Sequence, residues 1–440
     1  MKKVLVLGAG MVSAPLVHYL LDNGFHVTLG DINEAQAQSI IRDRPNAASL
    51  KLDIAETARV EELIRPMDLV VSLLPPLLHG KIAAFCLDLG KNFLTASYLS
   101  PEMNALDEAV KSKDLIFMNE IGLDPGLDHL TAMEMIDELN EKGYHIITFD
   151  SHCGGIPSRK AANNPLRYKF SWSPAGVIGA LTRPSQFRSN GKIVRVPGRD
   201  KLRHAEVLHV PGAGIFESNP NADSLYYGER YGLTETLDVR RGTLRYPGWA
   251  QFWLFMLSLD FLNKERHLVF ENEQVLSALF KLAGWTPPED IFEFVCSKTD
   301  THGSVFLENI QSLGLLDEGA LISGSYTAFD IILECAQKNM QYDPGETDLV
   351  VLHHEFIVEK DGKREKWTST LCREGISNGI TAMGTLVGVP AAIASKLILD
   401  GKIKQRGVLI PLGKEFYQPI LKELADLGMP HQVSRKPLED

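Results

Sequence analysis

The sequence predicts an α/β protein whose N-terminal part is built on a parallel sheet. Three observations carry that expectation. Short apolar runs at residues 4–7, 25–29, 48–52, 69–74, 93–96 and 115–118 alternate with amphipathic stretches, the pattern of strands buried on both faces under helices. The first run leads straight into Gly8-Ala9-Gly10-Met11-Val12-Ser13 and then a helical pattern reaching about residue 23. An acidic residue, Asp31, follows the second run, 21 positions after Gly10.

Each part of that opening has a physical reason. Gly8 permits a tight turn, and Gly10 lets the main chain approach a diphosphate, which meets the free N–H groups and positive dipole of the helix start. Ser13 stands where the motif has its third glycine, and Pro15 falls in the first turn, where a missing N–H does no harm. Strand, glycine turn, helix and Asp31 together read as a Rossmann dinucleotide-binding unit. The Asp31 carboxylate suits ribose hydroxyls and repels a 2′-phosphate. Since Ile32-Asn33-Glu34 brings no arginine, NAD is the expected cofactor and NADP the lesser candidate. Asp53, after the third run, is either an adenine-side contact or the N-cap of a helix expected over 56–64. Ser72-Leu73-Leu74-Pro75-Pro76 ends the fourth strand, and in a doubly wound sheet that end borders the cofactor crevice; a plain strand-ending loop is the competing reading.

After residue 125 the pattern changes. A helix is expected over 129–142 and a strand over 146–150, followed by a Gly/Pro/Asn-rich loop over 151–164 and a strand over 192–196. Residues 246–340 read as almost wholly helical. Runs at 348–359 and 366–372 form a hairpin around Asp361-Gly362, and from 379 the chain is helical with a polar tail. This gives a Rossmann unit, a mixed α/β unit that resumes near Thr347, and an all-helical insertion inside it.

Composition excludes several classes. A net charge of -11 argues against a nucleic-acid partner. The five cysteines are odd in number and form no CxxC pair, which disfavours a disulfide framework or zinc ribbon and points to a reducing, cytoplasmic setting. The N-terminal apolar run is too short for a secretory signal, and no stretch is expected to reach the apolar length of a membrane span. His353-His354-Glu355 is no metal motif, because neighbouring strand residues face opposite ways, so no metal is expected.

Longer strings carry a family resemblance. They are Thr95-Ala96-Ser97-Tyr98-Leu99-Ser100-Pro101, Gly122-Leu123-Asp124-Pro125-Gly126-Leu127-Asp128-His129, Ser151-His152-Cys153-Gly154-Gly155-Ile156-Pro157, Asn163-Asn164-Pro165-Leu166 with Tyr168-Lys169-Phe170-Ser171-Trp172-Ser173, Arg241-Gly242-Thr243-Leu244-Arg245-Tyr246 and Ser369-Thr370-Leu371-Cys372. Through them the chain resembles the L-glutamate-forming saccharopine dehydrogenases, also called saccharopine reductases, along essentially its full length. The resemblance implies a Rossmann domain at 1–125 and 389–440, a mixed α/β substrate and dimerisation domain at 126–245 and 347–388, a helical insertion at 246–346, and a homodimer. It implies a reversible reaction in lysine metabolism, in which saccharopine, NAD(P)⁺ and water give L-glutamate and 2-aminoadipate 6-semialdehyde.

Carried over from the family, Ser97 and Tyr98 match a substrate-contacting pair. Leu123, Asp124 and Pro125 match a cofactor-and-substrate loop. Thr243, Leu244 and Arg245 match a substrate-binding triplet, and Phe170 lies in a shared string and joins the substrate set. Two arginines of the family pattern are Ala222 and Ala175 here, while Arg167 stands where glycine is usual. Saccharopine has three carboxylates, so the loss of a bidentate clamp matters, and Arg167 is the compensating candidate.

Loss of hydride from a carbon beside a secondary amine leaves an imine that water must attack, which calls for a proton acceptor and donor within reach. Asp124, in a turn-rich loop, can stabilise a cationic imine, and the Tyr98 phenol can bond the substrate. Cys153, expected in a flexible glycine loop, can assist proton transfer. His152 is a weaker base candidate, with an exposed loop histidine as the favoured reading. Arg245 is expected to hold a carboxylate. The competing readings are turn residue, packed aromatic, small buried hydrophobe and structural ion pair for Asp124, Tyr98, Cys153 and Arg245 in turn. Two rival functions are a polyamine imine reductase akin to carboxynorspermidine synthase and a non-catalytic NAD-binding protein.

Overall fold

The computed structural model describes residues 1–299 and 302–438. The chain divides into two compact units, residues 1–146 with 358–440, and residues 147–357.

In the first unit, β1 (Lys3–Leu7), β2 (His26–Asp31), β3 (Ala47–Lys51), β4 (Leu69–Ser72), β5 (Asn92–Thr95) and β6 (Ile116–Met118) form a parallel sheet. The strand Gly407–Leu409 joins it beside β6, giving the order Gly407–Leu409, β6, β5, β4, β1, β2, β3. Val4, Val6, Val70 and Leu94 are wholly buried, as strands covered on both faces must be. The chain lays down β1, β2 and β3 outward in one direction, then restarts at β4 on the other side of β1. The carboxyl ends of β1 and β4 therefore flank the topological switch point.

The helix Ser13–Asp22 follows β1 and buries Leu16, Val17, Leu20 and Leu21; each buried leucine is worth about 2 kcal/mol. Helix Ala382–Leu399 crosses the start of that helix at main-chain contact. A Cβ on Gly388 would stand 2.9 Å from the Val12 carbonyl oxygen, and one on Gly384 3.1 Å from that of Met11. Contrary to expectation, Ala382–Leu399 is long and apolar enough to cross a membrane by length and composition, with a mean hydropathy of 1.7. However, 72% of it is buried here, where it serves as a core helix.

In the second unit β7 (His145–Pro157, entered from the first), β8 (Ser185–Ser189), β9 (Lys192–Val196), β10 (Glu206–Val210), β11 (Gly214–Pro220) and β12 (Asp238–Arg245) form a mixed sheet. The order is β10, β11, β12, β7, then the strand Asp348–Lys360, with β8 bridging β12 and β9. Helix Trp249–Ser258 buries Trp249, Phe252, Trp253 and Met256, the spacing of one helical face. They belong to one core that runs from Ile156 on β7 through the helices to Val351.

The structure corrects four expectations. Residues 246–346 are not all helical, because Leu268–Gln274 and Leu321–Tyr326 pair as an antiparallel ribbon whose polar, exposed sequence hides the strand signal. The polar tail is a strand, Gln432–Pro437, paired with Lys363–Glu374. The helix expected over 56–64 starts at Thr57 with Glu56 as N-cap, while Asp53 closes its own turn by accepting from the Ala55 N–H at 2.8 Å. Finally, β7 does not stop at residue 150 but runs through the glycines to Pro157. A Cβ on Gly154 would lie 2.7 Å from Leu244, so this glycine permits close strand packing and does not mark a loop. The hairpin turn Asp361-Gly362 is as expected, both residues left-handed at φ 52° and 72°.

Candidate active site

The glycine turn is shaped for a diphosphate. Gly8 has φ 104° and stands against β4: a Cβ there would be 3.0 Å from the Leu73 carbonyl oxygen. A Cβ on Gly10 would meet no atom within 4 Å, so the turn opens onto clear space at the switch point. Ser13 folds its hydroxyl back on the Gly10 carbonyl at 2.8 Å, and no side chain caps the helix at Val12. The Ser13 N–H donates to the Gly10 carbonyl at 3.2 Å, and the N–H groups of the first turn that follow it face no side-chain cap, which suits an anion. Asp31 ties the turn to β2, accepting from the Ala9 N–H at 2.6 Å and the Asn33 N–H at 2.8 Å. These residues fit a bound nicotinamide dinucleotide, with Met11 exposed at the mouth and Asp53 beyond the end of β3. Leu74 and Pro75 form the loop after β4. The Ser72 hydroxyl is turned inward, onto a histidine, leaving its main chain for any cofactor contact.

Beside this crevice the loop 119–126 folds on itself. Its Asp124–Pro125 bond is cis, the Gly122 N–H donates to the Pro125 carbonyl at 2.9 Å, and a Cβ on Gly126 would lie 2.1 Å from the Gly122 nitrogen. Leu123 is buried beneath, and Asp124 emerges half-buried. The Tyr98 hydroxyl donates to Asp124 Oδ1 at 2.8 Å, so two predicted residues 26 positions apart meet.

Sequence reasoning missed the polar network under them. His79 Nδ1 is 2.9 Å from Ser72 Oγ, and its Nε2 is 2.8 Å from Ser97 Oγ and 3.2 Å from Thr95 Oγ1. Burial holds the His79 imidazole down at about 4, so it is neutral at neutral pH. Glu120, left-handed at φ 56°, accepts the Leu99 N–H through Oε1 and faces His129 Nε2 at 2.9 Å through Oε2. Only the shared strings around Ser97 and His129 hinted at these groups; nothing in the sequence marks His79.

The remaining predicted residues belong to the second unit. Cys153 and His152 are not loop residues: both are buried within β7, Cys153 in register with Thr243 on β12, and His152 Nδ1 lies 2.7 Å from Ser218 Oγ. Leu244 and Phe170 are core side chains, and the Phe170 N–H donates to the Met340 carbonyl at 3.0 Å. Thr243 is half-buried.

Arg245 is 5% exposed; its guanidinium lies over the rings of Tyr168 and Trp249 and bonds the Leu244 carbonyl, while Nε has no hydrogen-bond partner among the described residues. It forms no ion pair among the described residues, an expensive state for a buried cation unless a ligand supplies the anion. Burial first, then the charges of Arg183 and Arg245, push the Lys201 amine down to about 8. Arg167 adopts φ 51°, the conformation expected of the glycine it replaces, and stacks on Tyr246 at 4.3 Å. Ala222 is also left-handed, at φ 43°, and Ala175 lies in the short helix Pro174–Ala180. Among the described residues no group of three or more His, Cys, Asp or Glu could hold a metal, and none of the five cysteines is in a disulfide.

Comparison with known proteins adds the family. The saccharopine dehydrogenase NADP binding domain matches residues 4–118, and the saccharopine dehydrogenase C-terminal domain matches residues 122–429. The NADP⁺, L-glutamate-forming saccharopine dehydrogenase of Pyricularia oryzae is 36% identical over 437 residues, with 97% of both chains covered. The mitochondrial alpha-aminoadipic semialdehyde synthase of Mus musculus is 36% identical over 97% of this chain, which spans 47% of that longer protein. The apo saccharopine dehydrogenase (L-Glu forming) of Saccharomyces cerevisiae superposes with a TM-score of 0.89 at 33% identity, covering 99% of this chain and all of that one.

Proposed function

The chain belongs to the L-glutamate-forming saccharopine dehydrogenase family of oxidoreductases, and on that footing we propose that it interconverts saccharopine with L-glutamate and 2-aminoadipate 6-semialdehyde. The observation that carries the reading is the Tyr98–Asp124 contact in a loop beside the dinucleotide crevice.

A nicotinamide dinucleotide held at the Gly8–Ser13 turn would supply or take up the hydride at the carbon next to the substrate nitrogen. When hydride leaves, the nitrogen lone pair becomes the second bond of C=N; water then adds to that carbon and the C–N bond breaks, releasing glutamate amine and aldehyde. Asp124 faces the cationic imine and accepts a proton from the attacking water. Tyr98, already donating to Asp124, holds that carboxylate in place. Arg245, buried without an acidic partner among the described residues, grips a substrate carboxylate. Ser97 supplies a further substrate contact, and Thr243 and Leu244 are substrate-binding positions by the family pattern.

For the cofactor we propose NAD over NADP. The relatives are named for NADP, but this chain places the Asp31 side chain at the tip of β2, where a ribose 2′-phosphate would meet it. The proposal extends to a cytoplasmic homodimer, expected to elute at twice the 48.8 kDa chain mass.

The test is oxidation of reduced cofactor with glutamate plus the semialdehyde. Turnover with kcat/KM higher for NADH than NADPH is expected; no turnover with either removes the reaction, and an NADPH preference removes the cofactor choice alone.

A further inference from the structure

The strongest polar cluster that the proposed reaction leaves unused is centred on His79. It stands at the start of helix His79–Leu89, 5% exposed, its ring edge-on to Phe93, with three hydroxyls around its two nitrogens. No carboxylate among the described residues touches it, so the imidazole works here as a neutral group with one N–H and one lone pair.

Which nitrogen carries the proton follows from the hydroxyls. Ser72 is wholly buried, and its hydroxyl has one side-chain partner, His79 Nδ1. A buried O–H needs an acceptor, and two buried hydroxyls face the ring, Ser72 at 2.9 Å from Nδ1 and Thr95 at 3.2 Å from Nε2; the shorter contact assigns the donated proton to Ser72, onto Nδ1. The ring proton then sits on Nε2, which donates to Ser97 Oγ at 2.8 Å, the shorter of its two contacts. Ser97 thereby spends a lone pair inward, and its own O–H has no acceptor among the described residues. Ser97 is half-buried at the end of the segment that also carries Tyr98, so that O–H is left to point outward.

We infer that His79 is a positioning residue: by donating Nε2–H to Ser97 and accepting from Ser72, it aims the Ser97 hydroxyl as a donor at a carboxylate of the amino-acid substrate. The inference rests on the proposed substrate role of Ser97. It also ties the strand end beside the cofactor, through Ser72, to the substrate side, through Ser97. The donor direction fixes the chemistry. A Ser97 aimed this way favours an anionic oxygen over an ammonium, and a polyanionic substrate over a polyamine.

The experiment compares His79→Leu, His79→Gln, Ser97→Ala and the His79→Leu/Ser97→Ala double variant in the full chain. The readouts are the saccharopine dissociation constant by calorimetry, which needs no turnover, and KM and kcat. His79→Leu is expected to weaken saccharopine binding about tenfold, the worth of one lost charge-assisted hydrogen bond. NADH affinity should stay within twofold. Ser97→Ala should lose a similar amount, and the double variant no more than Ser97→Ala alone. His79→Gln, whose amide can both donate and accept, should keep saccharopine affinity within about threefold, and it keeps the test open if the leucine variant does not fold. Additive losses, or a glutamine variant as weak as the leucine one, overturn the inference. An undiminished affinity in Ser97→Ala overturns it too, while leaving the overall reaction, read from wild-type turnover, untouched.

Discussion

Two glycines in one turn give opposite expectations, and the contrast tests the cofactor cradle. At Gly10 an added methyl meets nothing within 4 Å, and the backbone is not left-handed. Gly10→Ala therefore leaves folding alone and places a carbon where the diphosphate approaches the main chain. Dinucleotide affinity should fall at least tenfold, about 1.4 kcal/mol, with the melting temperature unchanged. At Gly8 the backbone sits at φ 104° and a Cβ would press on the Leu73 carbonyl oxygen at 3.0 Å, a main-chain atom that cannot turn away. Gly8→Ala should cost about 2 kcal/mol of stability, lowering the melting temperature by roughly 4–8 °C for a unit of this size. Calorimetric titration with NADH and thermal unfolding followed by circular dichroism read the two effects separately. A Gly10→Ala protein that binds NADH as tightly as wild type would refute the placement of the diphosphate at this turn.

Other expectations follow from the same geometry. Asp124→Asn should lower kcat by about 10²–10³-fold and Tyr98→Phe by less, with little change in melting temperature, as measured by initial rates beside thermal unfolding. Arg245→Ala should raise the KM for saccharopine far more than that for NAD, and equal changes in both would remove Arg245 from the substrate. Asp31→Ala should narrow the ratio of kcat/KM for NAD over NADP; an unchanged ratio refutes the assignment of that preference to Asp31. His79 gives a pH dependence of stability. Its folded value, about 4, lies below the ordinary 6.5, so the unfolded chain binds more protons between the two. The full stability is present above pH 6.5 and is lost as pH falls toward 4, by up to about 3 kcal/mol. His79→Gln should remove that part of the slope in urea titrations.

What the sequence made legible were the features that local chemistry dictates. Gly8 and Gly10 announce themselves because a tight turn and a close approach demand glycine, and Asp31 because its distance along a βαβ unit is fixed. Tyr98 and Asp124 were legible through the strings they sit in, although only the fold shows that one donates to the other. Cys153 and His152 were misplaced because Gly154 looks like loop punctuation until Leu244, 90 positions later, is seen packing on it. The ribbon Leu268–Gln274 with Leu321–Tyr326 was missed for a related reason, since both strands are polar and their pairing spans a helical segment. His79 was invisible for the same cause: Ser72, Thr95 and Ser97 become its neighbours only when β4 and β5 lie side by side.

The most direct check on the whole account is hydride bookkeeping. With NADH deuterated at the transferable C4 position, glutamate and 2-aminoadipate 6-semialdehyde as reactants, mass spectrometry should find saccharopine one mass unit heavier, with the label on the former aldehyde carbon. Unlabelled saccharopine, or cofactor oxidation that yields no saccharopine, would contradict direct transfer from a dinucleotide held at the Gly8–Gly10 turn.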